Sequence, residues 1–320
     1  MRNVLITGAN GFVGRALCES LAQNGNRIRP VIRSEYGIIG DITPFVVNQI
    51  DLNTDWAGAL TDVEVIVHLA SRVHQRQEGS NDSIQAYRRV NTEGTLNLAR
   101  QAVAAGVKRF VFVSTIKVNG EGGDSVYSED DTPCPMDSYA ISKWEAEKGL
   151  VSISETTGME VVIIRPPLVY GPEVKANFLS MMQWLYRGIP LPLGAIHNKR
   201  SLLALGNLVD LVTRCMTHPA AANQLFLASD GDDLSTSELL VRTASAIGVE
   251  ARLIGIPERW VEIVAAMMGK RDLSRRLCGS LQVSISKAQT VLGWSPPIPV
   301  DEGLRITAKH FLANLPKNQL

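Results

Sequence analysis

Gly8-Ala9-Asn10-Gly11-Phe12-Val13-Gly14 stands between a short apolar run, Arg2 to Thr7, and a stretch, Arg15 to Gln23, with Ala16, Leu17 and Leu21 apolar at helical spacing. Strand, tight turn and helix follow one another without a gap. In that context the glycines let the backbone approach a pyrophosphate, and the helix N-terminus stabilises its charge. An ordinary glycine-rich turn would share the letters, but it has no need of a strand before it and a helix after it. The step from Gly8 to Gly11 makes the pattern GxxGxxG, a departure from GxGxxG.

Further β-branched runs lie at Ile28 to Ile32, Val63 to Leu69, Phe110 to Ser114 and Val161 to Ile164, with stretches between them long enough for helices. Such alternation predicts an α/β fold on a parallel sheet. Continuously apolar strands such as Val111-Phe112-Val113 and Val161-Val162-Ile163-Ile164 predict helices on both faces, a doubly wound arrangement. Beyond Pro166-Pro167 the pattern is less regular, with prolines at 190, 192, 257, 296, 297 and 299. Residues 1–166 are therefore expected to form a dinucleotide-binding domain and 167–320 mainly a smaller substrate-binding lobe, with returns to the first from 201–228. Glu258 to Met268 carries a wide apolar face including Trp260, Val261, Ile263, Val264 and Met267. It is expected to be a buried lobe helix rather than a membrane contact.

Composition narrows the function. Lys plus Arg (32) balances Asp plus Glu (32), so no overall field holds nucleic acid or an anionic membrane. Cys18, Cys134, Cys215 and Cys278 form no CxxC pair, which predicts no metal site and no disulfide framework. The N-terminus enters a strand at once, and no apolar run reaches the ~18 residues that cross a bilayer. A cytoplasmic protein without membrane insertion is expected.

After the second strand, an acidic residue commonly selects NAD through the ribose hydroxyls, whereas arginine suits the 2′-phosphate of NADP. Here Arg33-Ser34 follows the strand and Arg29 is close, so NADP(H) is favoured over NAD(H); the alternative is that both arginines are solvated. Asp51-Leu52 is placed to meet an adenine, and His68-Leu69-Ala70 to run beneath the adenosine ribose, with Ser71 a further cofactor contact. In Tyr139-Ala140-Ile141-Ser142-Lys143, Tyr and Lys are four apart, on one face of a helix. Val113-Ser114-Thr115 ends a strand at its carboxyl edge, the side where open parallel sheets bind ligands. The three groups have a joint chemistry: Lys143 lowers the phenol's pKa, Tyr139 exchanges a proton with a carbonyl or hydroxyl oxygen, and Thr115 hydrogen-bonds that oxygen. Singly, the tyrosine would be a packed aromatic and the lysine a solvated helix charge.

TGANGFVG, Asn91-Thr92-Glu93-Gly94-Thr95, Ser114-Thr115, YAISK and Arg165-Pro166-Pro167-Leu168-Val169-Tyr170-Gly171-Pro172 together span most of the chain. With them the sequence resembles the extended short-chain dehydrogenases/reductases of the nucleotide-sugar epimerase and dehydratase group, with a Rossmann-like fold. The nearest resemblance is to bacterial O-antigen enzymes acting on UDP-4-keto-6-deoxy-N-acetylhexosamines and to UDP-glucose 4-epimerases. The resemblance implies that Thr115, Tyr139 and Lys143 are catalytic, that Gly8, Asn10, Gly11, Phe12, Val13 and Gly14 hold the cofactor, and that Asn91 supports the site. Pro166 and Leu168 would pass the nicotinamide, while Asn177 and Arg200 would meet the substrate diphosphate, as a planar guanidinium suits. By residue type alone Asn177 is equally a helix N-cap and Arg200 a surface charge. A second arginine is expected near Arg271, Arg275 or Arg276. A homodimer through a four-helix bundle, from Thr92 to Ala105 and Tyr139 to Ile153, is also implied.

The 4,6-dehydratases follow the catalytic Thr with an Asp-Glu pair; here Ile116-Lys117 stands in its place, so dehydration lacks its acid and base. Lys117 and His74 are candidate sugar contacts, or else solvated residues. The resemblance then implies C4 chemistry on a UDP-sugar. NADPH-dependent reduction of a 4-keto sugar is ranked first because of Arg33, and 4-epimerisation is the alternative. A non-catalytic cofactor-binding sensor is disfavoured by the intact Thr115, Tyr139 and Lys143. Sugar selectivity is expected at Lys117, Leu168, Tyr170 and the Leu191 to His197 segment.

Overall fold

The computed structural model describes residues 2–33, 42–73, 83–123, 125–267, 275 and 277–315. Its strands are β1 (Asn3–Thr7), β2 (Arg27–Ile32), β3 (Phe45–Val46), β4 (Val65–His68), β5 (Arg109–Val113), β6 (Val126–Tyr127), β7 (Glu160–Arg165), β8 (Leu168–Tyr170), β9 (Leu202–Ala204), β10 (Gln224–Leu227) and β11 (Gln282–Val283). Seven of the described strands form one sheet in the order β10-β7-β5-β4-β1-β2-β3, with every neighbouring pair parallel. The order runs outward from β1 to β2 and β3 on one side, and from β4 on the other. The crevice between the carboxyl ends of β1 and β4 is thus the switch point of the sheet, where such folds take ligands.

Alternate strand residues face opposite layers. Val4 and Ile6 of β1 and Val65 and Val67 of β4 pack on α1 (Phe12–Gln23) through Leu17 and Leu21, together with Leu208 and Val212. Leu5 and Ile66, with Phe110 and Phe112, face Leu98, Ala102, Ala146 and Leu150 on the other side. A strand sandwiched in this way has no wet face, which is why its sequence is continuously apolar.

The remaining helices follow in order: α2 (Ala57–Leu60), α3 (Ser83–Tyr87), α4 (Thr95–Ala104), α5 (Ser138–Thr157), α6 (Ala176–Tyr186), α7 (Leu205–Thr217), α8 (Thr236–Ile247), α9 (Glu258–Met267), α10 (Ser286–Leu292) and α11 (Val300–Ala313). A second core gathers Phe178 and Met182 of α6, Leu240 of α8 and Leu304 and Phe311 of α11. The chain beyond Pro167 serves both layers: β8 pairs with β9, while β10 lies beside β7 at the edge of the main sheet. Tyr170 links them, its hydroxyl donating to Asp230 Oδ2 at 2.8 Å; Asp230 also accepts from Ala204 N and Asn207 Nδ2.

The expectation of a buried helix at 258–268 needs correction. Within α9 Val261 packs against the second core, but Trp260, Ile263 and Met267 are 61%, 48% and 83% exposed. Among the described side chains of that face, Val261 meets the second core and these three do not.

Candidate active site

The glycine loop is built against the end of β4. Gly8 has φ +67°, and a Cβ there would lie 2.8 Å from Ala70 N; a Cβ on Gly14 would lie 2.1 Å from Gly8 O. Neither position admits a side chain. Gly11 N donates to Gly8 O at 2.9 Å, and Gly11 caps α1 with no side-chain hydrogen bond and no acidic residue in the first turn. The helix N-terminus therefore carries no protein anion of its own, which fits a pyrophosphate. Asn10 and Gly11 are exposed, Phe12 and Val13 half-buried, and Asn10 O accepts from Arg15 Nε at 3.2 Å.

Thr7 Oγ1 accepts from the backbone N–H of both Leu69 and Ala70 at 3.2 Å, which clamps β1 to β4 at the crevice. The same hydroxyl lies 2.7 Å from His68 Nδ1, and His68 Nε2 lies 3.0 Å from Thr95 Oγ1. Because Thr95 donates to the Asn91 carbonyl at 2.7 Å, it must accept from Nε2–H; Nδ1 is then bare and accepts from Thr7. His68 is fully buried and neutral, its pKa pushed down to about 3 by burial and by the charge of Lys143.

Asn91 sits in a π-helical turn, Arg88–Gly94, that runs into α4. Its Oδ1 accepts from Arg72 N at 2.8 Å and Ser71 Oγ at 3.2 Å, and its Nδ2 donates to Arg72 O and Ser142 Oγ. The buried amide thus holds the loop after β4 against α5, next to Lys143.

Helix α5 begins at Asp137, whose Oδ1 accepts from Ala140 N at 2.7 Å. Tyr139 and Lys143 follow on successive turns. Lys143 is buried; its Nζ donates to Val113 O at 2.7 Å and lies 3.8 Å above the Phe112 ring. Burial lowers its pKa to about 7, with Glu147 acting in the opposite sense. Thr115 is extended and caps a 3-10 turn, Ile116–Val118, accepting from Lys117 N at 3.4 Å. Val113 precedes Thr115 by two residues, so α5 is tied to the strand end that carries the threonine. The structure brings the three expected groups to one crevice.

Burial pushes the Tyr139 phenol up to about 12; a hydrogen bond with Ser71 lowers it in part, and Asp137 and Tyr87 raise it. Lys143 directs its ammonium to the Val113 carbonyl and the Phe112 ring. Tyr87 meets the Tyr139 ring edge-on at 6.3 Å.

Arg33 is exposed at the end of β2 and lines a cavity of about 440 Å³ with Ile50, Arg72, Arg89 and Val90 among others. Asp51 is buried, and its carboxylate accepts from Arg89 Nη2 at 2.8 Å and Asn53 N at 3.0 Å, which keeps it below the usual carboxylate range. Leu52 is exposed beside it. Pro166 O accepts from Ile116 N at 3.0 Å, and Leu168 is exposed on β8. Asn177 is exposed in the first turn of α6, behind a loop with Glu173 and Ala176 at φ +66° and +53°. Arg200 is half-buried, with Nη1 donating to Gly279 O at 2.8 Å; two residues on, Leu202 pairs with Leu168. Lys117 is held by Asp137 and Glu121 at 2.5 and 3.1 Å. His74, Arg271 and Arg276 lie outside the described residues, while Arg275 accepts at its carbonyl from Gly279 N.

Sequence reading missed four features: the Lys117–Asp137 pair, the His68 relay, the buried Arg165–Glu147 pair, and Ser114. The Ser114 hydroxyl is buried one residue before Thr115, without a hydrogen-bond partner among the described residues. Asp137 alone had a local signal, an aspartate at the start of a helical pattern.

A family model described as the NAD dependent epimerase/dehydratase family matches residues 4–227. The chain belongs to that family. It is an enzyme of the extended short-chain dehydrogenase/reductase type, as its motifs implied. A UDP-glucose 4-epimerase of Vibrio cholerae is 44% identical over 319 residues, 97% of this chain and 96% of its own length. Among solved structures, UDP-N-acetylglucosamine 4-epimerase from Bacillus cereus superposes with a TM-score of 0.79 at 21% identity, covering 98% of this chain and 99% of that one. UDP-glucuronic acid 4-epimerase from the same species, in complex with NAD, gives 0.77 at 20% identity, with 97% and 99% covered. These two likenesses are of fold. No described helix of this family member is long and apolar enough to cross a membrane.

Proposed function

We propose that the enzyme epimerises C4 of a UDP-hexose, UDP-glucose or UDP-N-acetylglucosamine. One observation carries this reading: Thr115, Tyr139 and Lys143 are fastened to one crevice, while Ile116-Lys117 occupies the place of a dehydratase's acid–base pair. The 44% identity to a protein named UDP-glucose 4-epimerase supports it, and moves the ranking from ketoreductase to epimerase. A dinucleotide held at its pyrophosphate by the glycine loop, with its nicotinamide passing Pro166 and Leu168, would supply hydride acceptance and return at C4.

The chain's own residues handle the proton. Tyr139 would accept the C4 hydroxyl proton in its phenolate form, which lies uphill of the phenol that burial favours, as the carbon is oxidised, and return it as the carbon is reduced, while Thr115 donates a hydrogen bond to the same oxygen. Lys143 fixes α5 to β5 and adds positive charge beneath the phenol. Asn91 keeps the loop after β4 in register. Asn177 and Arg200 are proposed to hold the diphosphate, with selectivity at Leu168, Tyr170 and residues 191–197. A cytoplasmic homodimer, joined through the α4 and α5 helices, completes the proposal; sedimentation showing only monomer at micromolar concentration would remove the dimer.

A second reading rests on Arg33. With Arg72 and Arg89 on the same cavity, it suits the 2′-phosphate of NADP(H) over NAD(H), and thereby net reduction of a UDP-4-keto-6-deoxy-N-acetylhexosamine. Absorbance at 340 nm separates the two. UDP-glucose or UDP-N-acetylglucosamine turning into its C4 epimer without net cofactor change supports the epimerase. Stoichiometric NADPH loss with the 4-keto sugar, and no epimerisation, would replace it by the reductase.

A further inference from the structure

Lys117 stands just after the catalytic strand end, and its ammonium bridges Asp137 Oδ2 at 2.5 Å and Glu121 Oε1 at 3.1 Å. Asp137 uses its other oxygen to cap α5 by accepting from Ala140 N at 2.7 Å. The carboxylate is thus fully engaged, one oxygen by a helix terminus and one by a lysine from another element. Lys117 also donates its backbone N–H to Thr115 Oγ1. One residue therefore touches the threonine through its main chain and the tyrosine's helix through its side chain. Both charged groups are about a quarter exposed, 25% for Lys117 and 23% for Asp137, so solvent screens their pairing less than that of a surface pair.

We propose that Lys117 is a positioning residue for the proton transfer at Tyr139: it braces the start of α5 against the Thr115 strand end and neutralises Asp137, a carboxylate two residues from the phenol. The inference rests on the reading of Tyr139 as the proton-transferring group. The groups facing Tyr139 make the charge argument specific. Asp137 comes from its own helix, Tyr87 from α3, and the Ser71 hydroxyl from the loop after β4. Lys143 lies one turn below, and Arg72 lies 6.0 Å from the centroid of Tyr87. Asp137 opposes formation of the phenolate, and Lys117 opposes Asp137. Glu121, the ammonium's other partner, takes up part of that charge.

The two partners should therefore act in opposite directions. Lys117→Met leaves Asp137 unneutralised and should move the Tyr139 titration up. Asp137→Asn keeps the cap, since asparagine serves as well as aspartate there, and should move it down. The double variant should return near the wild type, as should Lys117→Arg. The direct readout is the Cζ resonance of ¹³C-tyrosine-labelled full-length protein with added NAD, assigned by its loss in Tyr139→Phe. It needs no substrate, so it answers even if the C4 epimerase reading fails. The pH profile of kcat/KM with UDP-glucose is the second readout, and its acid limb should move with the resonance. Equal titration in all variants, or shifts of the same sign in both single variants, would overturn the proposal.

Discussion

Arg165 and Glu147 form a buried ion pair, Nη2 to Oε2 at 2.5 Å, one turn of α5 beyond Lys143. Arg165 ends β7 and also donates to Asn119 Oδ1 at 2.9 Å, so the pair joins α5, β7 and the loop after β5. Glu147 is the charge that works against the desolvation of Lys143. Glu147→Gln would leave the guanidinium buried with one neutral partner in place of a carboxylate. Loss of about 3 kcal/mol is expected in urea unfolding, with Lys143 giving up its proton below its present value of about 7. A variant as stable as the wild type would show that Asn119 suffices for Arg165.

His68 gives the acid branch of the stability curve a calculable part. Its folded pKa of about 3 lies below the ordinary 6.5, so between those values the unfolded chain holds a proton that the folded chain refuses. Its contribution is complete above pH 6.5 and is lost as pH falls towards 3. His68→Asn should be less stable near neutrality and should lose stability more gently on acidification, by up to one proton's slope, about 1.4 kcal/mol per pH unit. Denaturant unfolding at pH 7, 6 and 5 reads the difference; parallel lines would mean that the histidine titrates normally.

Two glycines of the loop should separate folding from cofactor binding. A Cβ at Gly14 meets Gly8 O at 2.1 Å, so Gly14→Ala must displace α1 from β1 and lower the melting temperature. At Gly11 the nearest atom is Gly8 O at 3.1 Å, and the residue is exposed. Gly11→Ala should melt close to the wild type while weakening NAD binding about tenfold, roughly 1.4 kcal/mol. Equal melting temperatures for the two would contradict the packing described.

Arg33 tests the cofactor. Arg33→Ser should raise the Kd for NADPH about tenfold and leave that for NADH unchanged, as loss of one charge-assisted phosphate contact requires. Fluorescence titration with both dinucleotides measures this. Equal effects on the two would make Arg33 a general adenosine contact and leave the reductase reading without its support.

The parts legible in the chain alone were those with local causes. Turn chemistry and residue period are written within a dozen residues, so the sequence determined the glycine loop, the parallel sheet with helices on both faces, and the spacing of Tyr139 and Lys143. Even Asp137 carried a cap signal. The tertiary structure alone decided which charged groups meet. Lys117 reaches Asp137 across 20 residues, Arg165 reaches Glu147 across 18, and His68 reaches Thr95 across 27. Those separations follow from how β4, β5 and β7 sit side by side with α4 and α5 across one face, and no periodicity encodes that. The same reason explains the height of the Tyr139 phenol and the expectation that changed. The Tyr139 phenol sits high because burial outweighs its hydrogen bond to Ser71, and α9 keeps Trp260, Ile263 and Met267 exposed while Val261 meets the second core. Burial is a property of what folds against a residue, and it sets both the proton affinity and the exposure that composition leaves open.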